Sequence, residues 1–99
     1  MTKAEFLTIH KDLQHQLYDC GIPVAIEIDY ESAGQYDIGC FYDENDNKWK
    51  MYVNSERGWH GIWYESENEE EIFDKLYTHI SLELKYHNVD AVTVDRKVT

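Results

Sequence analysis

The sequence predicts a single α+β domain: a four-stranded antiparallel meander with an N-terminal and a C-terminal helix on one face, in the order α-β-β-β-β-α. Three observations predict it. Apolar residues recur at helical spacing near both ends of the chain. Between those ends, four stretches alternate apolar and polar side chains with the period of a half-buried strand. Short clusters rich in Gly, Asn, Asp, Glu and Ser separate the stretches, as hairpins require.

In the first helix, over 3–19, Phe6, Ile9, Leu13 and Leu17 make one apolar stripe. Thr2 is placed to cap it, with Glu5 three residues later completing a capping box. Gly21 and Pro23 end it. The first strand, 24–30, alternates Val24, Ile26, Ile28 and Tyr30 with Ala25, Glu27 and Asp29. After a turn at 31–35, the second alternates Tyr36, Ile38, Cys40 and Tyr42 with Asp37, Gly39 and Phe41. An antiparallel register pairing Tyr30 with Tyr36, Ile28 with Ile38 and Ile26 with Cys40 gives both strands one continuous apolar face.

A turn over 43–47 leads to a third strand with Trp49, Met51 and Val53 inward. A five-residue loop, Asn54-Ser55-Glu56-Arg57-Gly58, then reverses the chain so that Trp59, Gly61 and Trp63 face inward on the fourth. Val53 would pair with Trp59, Met51 with Gly61 and Trp49 with Trp63. Ser66, with Glu69 in the capping-box position, begins the second helix. Glu67, Glu69, Glu70 and Glu71 load its first turn with the charge its dipole favours. Ile72, Phe73, Leu76, Ile80 and Leu84 are its buried stripe, and it ends near Asn88. Residues 89–99 alternate weakly and read either as a short fifth strand or as a flexible tail.

The whole chain of 99 residues is expected to be one domain. Its N-terminus reads as helix-forming and not as a signal peptide, and no apolar run is long enough to span a membrane. The expected compartment is therefore the cytoplasm, with Cys20 and Cys40 as buried free thiols, although one disulfide between them is not excluded by their number.

Charge is the strongest compositional signal, with a net −11 at pH 7. From Asp12 to Asn47 there is no Lys or Arg, against nine acids (Asp12, Asp19, Glu27, Asp29, Glu31, Asp37, Asp43, Glu44 and Asp46). Such a chain is a poor direct ligand for nucleic acid, whose binding depends on neutralising phosphates. It suits a protein partner with a basic surface, or simply a solvated face.

In the predicted register the uncovered sheet face carries Glu27 and Asp29, then Asp37 and Phe41, then Lys48, Lys50 and Tyr52, then His60, Ile62 and Tyr64. Asp29 would stand opposite Asp37, an arrangement stability alone disfavours. Aromatic anchors ringed by charge have the composition of a protein-binding surface. The candidate partner-binding residues are Glu27, Asp29, Asp37, Phe41, Asp43, Glu44, Asp46, Tyr52, His60, Ile62 and Tyr64, the acids standing in for substrate phosphates.

Chemistry finds less support. His10 and His15 are five apart and splay around a helix, and His79 and His87 are eight apart, so neither pair has metal-site spacing. No nucleophile-elbow, phosphate-loop or dinucleotide fingerprint is present, and no cofactor is implied. Glu56, Arg57 and His60 together suggest the acid–base set of a small ribonuclease. Two of the three occupy a hairpin tip, however, and a charge of −11 would repel a polyanionic substrate.

The run from Lys48 to Leu84 resembles small bacterial immunity proteins of polymorphic and contact-dependent toxin systems. The matching pieces are Trp49-Lys50-Met51-Tyr52-Val53, the turn Glu56-Arg57-Gly58, and Ser66-Glu67-Asn68-Glu69-Glu70 ahead of the last helix. The resemblance implies a non-enzymatic cytoplasmic protein that binds and blocks one cognate toxin, often a nuclease, and it carries no catalytic residue across. A DNA mimic or regulatory adaptor that binds a basic host protein is the alternative, and a small ribonuclease-like enzyme the third. Pairing with a second copy through an exposed edge strand is left open.

Overall fold

A computed structural model describes residues 1–55 and 60–94. Helix α1 spans Lys3–Asp19 and helix α2 spans Glu69–Lys85. Between them lie β1 (Ile26–Ile28), β2 (Ile38–Asp43), β3 (Lys48–Asn54) and β4 (His60–Ser66), side by side in that order in one sheet. The α-β-β-β-β-α order is that predicted from the pattern, but the sheet is mixed.

Helix α1 follows the sequence closely. Thr2 accepts from Glu5 N at 3.1 Å and Glu5 Oε1 accepts from Thr2 N at 2.9 Å, the reciprocal capping box. At its other end Gly21 takes the left-handed conformation (φ 74°). There Gly21 N donates to Tyr18 O and Ile22 N to Leu17 O, the Schellman pair that absorbs the last free carbonyls. Helix α2 closes in the same way around Asn88 (φ 59°), with Asn88 N bonded to Lys85 O and Val89 N to Leu84 O. Its start differs from expectation: Asn68, not Ser66, is the N-cap, accepting from Glu70 N at 2.9 Å. Ser66 instead accepts from Asn68 N and donates to Glu71.

The predicted all-antiparallel meander is corrected at β1, which runs parallel to β2 with Ile26 against Ile38, Glu27 against Gly39 and Ile28 against Cys40. The stretch 29–37 is therefore not a hairpin turn but a crossover that returns the chain to the same end of the sheet. Left-handed residues bend it near both ends, Asp29 at φ 60° and Tyr36 at φ 65°. Positive φ is uncommon outside Gly, and an aromatic side chain there is rarer than Asp.

Strands β2 and β3 pair antiparallel, from Ile38 with Val53 to Asp43 with Lys48. Their turn is held by the Asp43 carboxylate accepting from Asn45 N, with Asn47 at φ 55°. Strand β4 pairs antiparallel with β3, but with a bulge: Met51 faces Tyr64 and Tyr52 faces Ile62, leaving Trp63 as the extra residue. The predicted pairs of Met51 with Gly61 and Trp49 with Trp63 are thereby corrected to Met51 with Tyr64 and Trp49 with Ser66. Val53, expected opposite Trp59, pairs instead with Gly61, and Asn54, expected in the loop, ends β3 opposite His60. The expected turn at Glu56-Arg57-Gly58 lies outside the described residues.

Both helices bury their stripes on one sheet face. Phe6, Ile9, Leu13 and Leu17 of α1 meet Ile72, Phe73, Leu76, Ile80 and Leu84 of α2 over Ile26, Ile38, Cys40 and Met51. Residues 89–94 form no strand with the sheet. They lie along the helices, where Gln16 bonds Asp90 O and Val92 N, and Tyr77 donates to Val92 O at 3.0 Å. No helix among the described residues is long and apolar enough to cross a membrane.

Candidate partner-binding face

The sheet face away from the helices divides into a covered half and an open half. The crossover 29–37 makes the cover. Tyr52 projects from the middle of β3 beneath it and is 0% exposed, with its hydroxyl donating to Tyr30 O at 2.6 Å and accepting from Ser32 N at 3.0 Å. Asn54, also buried, donates its amide to Ser32 O and Gly34 O, both at 2.8 Å. Ser32 in turn donates to the Asp37 carboxylate. Burial pushes the Tyr52 phenol up to about 12, with the carboxylates of Glu27 and Asp37 adding to the effect.

His60 closes this network from β4. Its Nδ1 lies 2.7 Å from Asn54 Oδ1 and its Nε2 lies 2.7 Å from Glu31 Oε2. The Asn54 amide nitrogen is already spent on two carbonyls, so its oxygen is the acceptor and His60 Nδ1 the donor. With Nε2 on a carboxylate, neither ring nitrogen is left for a substrate in this arrangement. Glu56 and Arg57, the other members of the ribonuclease-like set, lie outside the described residues.

The open half is built from Glu27 on β1, Phe41 and Asp43 on β2, Lys48 and Lys50 on β3, and Ile62 and Glu65 on β4. Phe41 is half-buried with its ring 6.1 Å from that of Tyr52, and Ile62 is 40% exposed. Lys50 does not stand free among them. Its ammonium lies 2.8 Å from Asp43, within bonding distance of Asp46, and 3.7 Å from Glu65. Hydrogen bonds to Asp43 and Asp46 hold the Lys50 amine well above its ordinary range, and the bond from Lys50 draws Asp43 below its own. Glu44 is exposed at the tip of the same hairpin.

Two of the eleven sequence-derived residues, Asp29 and Tyr64, are placed elsewhere than expected, and a third, Tyr52, is hidden. Asp29 does not face Asp37 across the sheet; it turns back at the end of β1 and pairs with Lys3 at the start of α1. Tyr64 points to the helix side, because the bulge at Trp63 shifts the alternation by one. There its hydroxyl meets Glu71 at 3.3 Å and Lys75 lies 5.0 Å from its ring centroid. The Glu71 carboxylate, more than burial, raises its phenol pKa. Tyr52 stays on the predicted face but is hidden by the crossover. Glu27, Asp37, Phe41, Asp43, Glu44, Asp46, His60 and Ile62 gather on or around the face.

Glu31 and Glu65 also belong to this surface and were not singled out from sequence. Glu31 falls in the turn expected at 31–35, and Glu65 carries no signal of its own in the sequence; only the register of β3 with β4 brings Glu65 to Lys50. The two thiols are free, Cys40 buried and Cys20 half-buried. Among the described residues no group of three or more His, Cys, Asp or Glu could hold a metal ion. No protein-family model, curated protein or solved structure matches the chain.

Proposed function

We propose that this chain is a non-enzymatic acidic binding protein that neutralises a cognate toxin, an immunity protein acting by occlusion of a basic active site. The observation that carries the reading is the makeup of the open half-face. Phe41 and Ile62 supply an apolar centre, and Glu27, Glu31, Asp43, Asp46 and Glu65 surround it. Lys50, which would otherwise oppose a basic partner, is neutralised in place by its carboxylates. An apolar centre in a charged rim is how specific interfaces distribute affinity and selectivity. The net charge of −11 would speed encounter with a basic toxin. A nuclease fits this best, since its active site already accommodates a polyanion. The protein would act in the compartment where the toxin would otherwise strike, the cytoplasm.

The test is co-expression with the polypeptide encoded immediately upstream. Rescue of growth by the wild-type chain, and its loss with Glu27→Lys and Glu44→Lys combined, is the expected result. Failure of the wild-type chain to rescue growth overturns the reading.

A further inference from the structure

The two edges of the sheet are treated differently. Along β1, α1 supplies the missing partners: the Gln14 amide donates to Val24 O at 2.6 Å and accepts from Ile26 N at 2.7 Å. His10 Nε2 lies 2.8 Å from Ile26 O. These bonds take up the outer backbone of Val24 and Ile26 and leave only the end of a three-residue strand, too short an edge for another strand to pair. Along the outer side of β4, no side chain of the described residues does the same. An edge of this kind, seven residues long, presents unpaired backbone groups that template a further strand.

The side chains flanking β4 point the same way. Trp63 is 62% exposed, and Leu82 (54%) and Tyr86 (87%) are exposed on α2. The bulge explains Trp63: as the extra residue it turns toward α2, meeting His79 edge-on at 5.2 Å between ring centroids. Between β4 and α2 runs a groove of about 260 Å³ bordered by Met51, Trp63, Tyr64, Thr78 and Leu82. Large apolar side chains grouped this way mark interaction surfaces.

Charge identifies the occupant. The strip carries three acids, Glu65, Glu71 and Glu83, against two bases, Lys75 and Lys85, so it is close to neutral on a chain of net −11. Two like-charged copies meet there with the least repulsion, whereas a basic partner gains most elsewhere.

We propose that β4 and the adjoining strip of α2 are the surface on which a second copy of this chain docks, with the two β4 strands antiparallel about a two-fold axis. An edge pairing with itself in this sense is isologous. The same axis runs the two α2 helices antiparallel, directing the Glu71 end of one toward the Lys85 end of the other, and sets each Trp63 against the partner copy's groove. The closed β1 edge then stops growth at two copies. Phe41 and the 43–47 hairpin remain outside the contact, while Ile62 and Glu65 on β4 border both surfaces; sedimentation reads the dimer with no toxin present, so the two readings fail separately.

The experiment is sedimentation equilibrium of the full chain over about a hundredfold range of concentration, since self-association must respond to mass action. The expected result is a monomer–dimer equilibrium that tightens with added salt, as screening removes the repulsion between two acidic chains. Trp63→Lys combined with Leu82→Lys should raise the dimer dissociation constant at least ~tenfold. Both side chains are exposed, so the variant keeps its fold, checked by unchanged circular dichroism. Amide hydrogen exchange should slow in β4, and not in β1, as concentration rises. A wild-type chain that stays monomeric, a dimer indifferent to the double variant, or assembly beyond two copies overturns the proposal.

Discussion

The hydroxyl of Tyr52 lies over the backbone of Gly39 on the neighbouring strand, so close that a methyl group at 39 would stand 2.7 Å from it. The same methyl would stand 2.1 Å from the carbonyl oxygen of Glu27. Gly39 thus admits two things at once, the parallel approach of β1 and the seating of Tyr52 beneath the crossover. Gly39→Ala is expected to lose stability at the upper end of the roughly 1–3 kcal/mol typical of overpacking. Urea denaturation measures it, and an unchanged midpoint would contradict the close approach.

Tyr52 also sets an alkaline limit. Its phenol is held up to about 12 against an ordinary 10.0, so the folded state favours the neutral form. The associated stability is fully present below pH 10.0 and is lost as pH rises toward about 12. Tyr52→Phe should flatten that loss. It should also cost about 1–3 kcal/mol at neutral pH, because Ser32 N–H loses its acceptor in a buried setting. Denaturation midpoints of both proteins across the alkaline range provide the comparison.

The thiols should separate in a labelling experiment. Burial, then the Asp29 carboxylate, pushes Cys40 up to about 12, and the side chain has no access to solvent. With a thiol-specific reagent near about pH 8, Cys20 should label first and Cys40 only as fast as the protein opens. Equal rates would mean that the core is not closed over Cys40.

Lys50→Met leaves Asp43, Asp46 and Glu65 without their shared cation. Because Asp43 is held below its ordinary 3.8, its contribution is present above that value and is lost as acid takes pH down through the lowered one. The variant should therefore fall short of wild type most at neutral pH. The gap should shrink with acidification and with salt, which screens the remaining repulsion. A gap that is the same at every pH would assign Lys50 a packing role only.

Both helices and strands β2 to β4 were legible because their patterns are local. The stripe of Phe6, Ile9, Leu13 and Leu17 needs no knowledge of the rest of the chain, and neither does the Asn88 stop. The direction of β1 was not legible, since alternation in Val24–Tyr30 is the same for a parallel and an antiparallel neighbour. Gly39 in mid-strand was the available sign of a close backbone approach. Tyr64 was placed on the wrong side because one extra residue at Trp63 reverses every side chain beyond it. Glu31 and Asn54 were passed over for a related reason: each looks like an ordinary loop or strand-end residue until the crossover is known to lie over Tyr52.

The crossover also has a consequence for the order in which the molecule assembles. The two antiparallel pairs join neighbours in sequence and close short loops, so β2, β3 and β4 can find each other early. Segment 29–37 has little to hold it until Tyr52, Asn54 and His60 are in place, since these supply its anchors. The chain should fold from its middle outward, with β1 arriving last. Ile26→Val should then leave the folding rate unchanged and accelerate unfolding, while Met51→Ala slows folding, a contrast that stopped-flow kinetics would read directly.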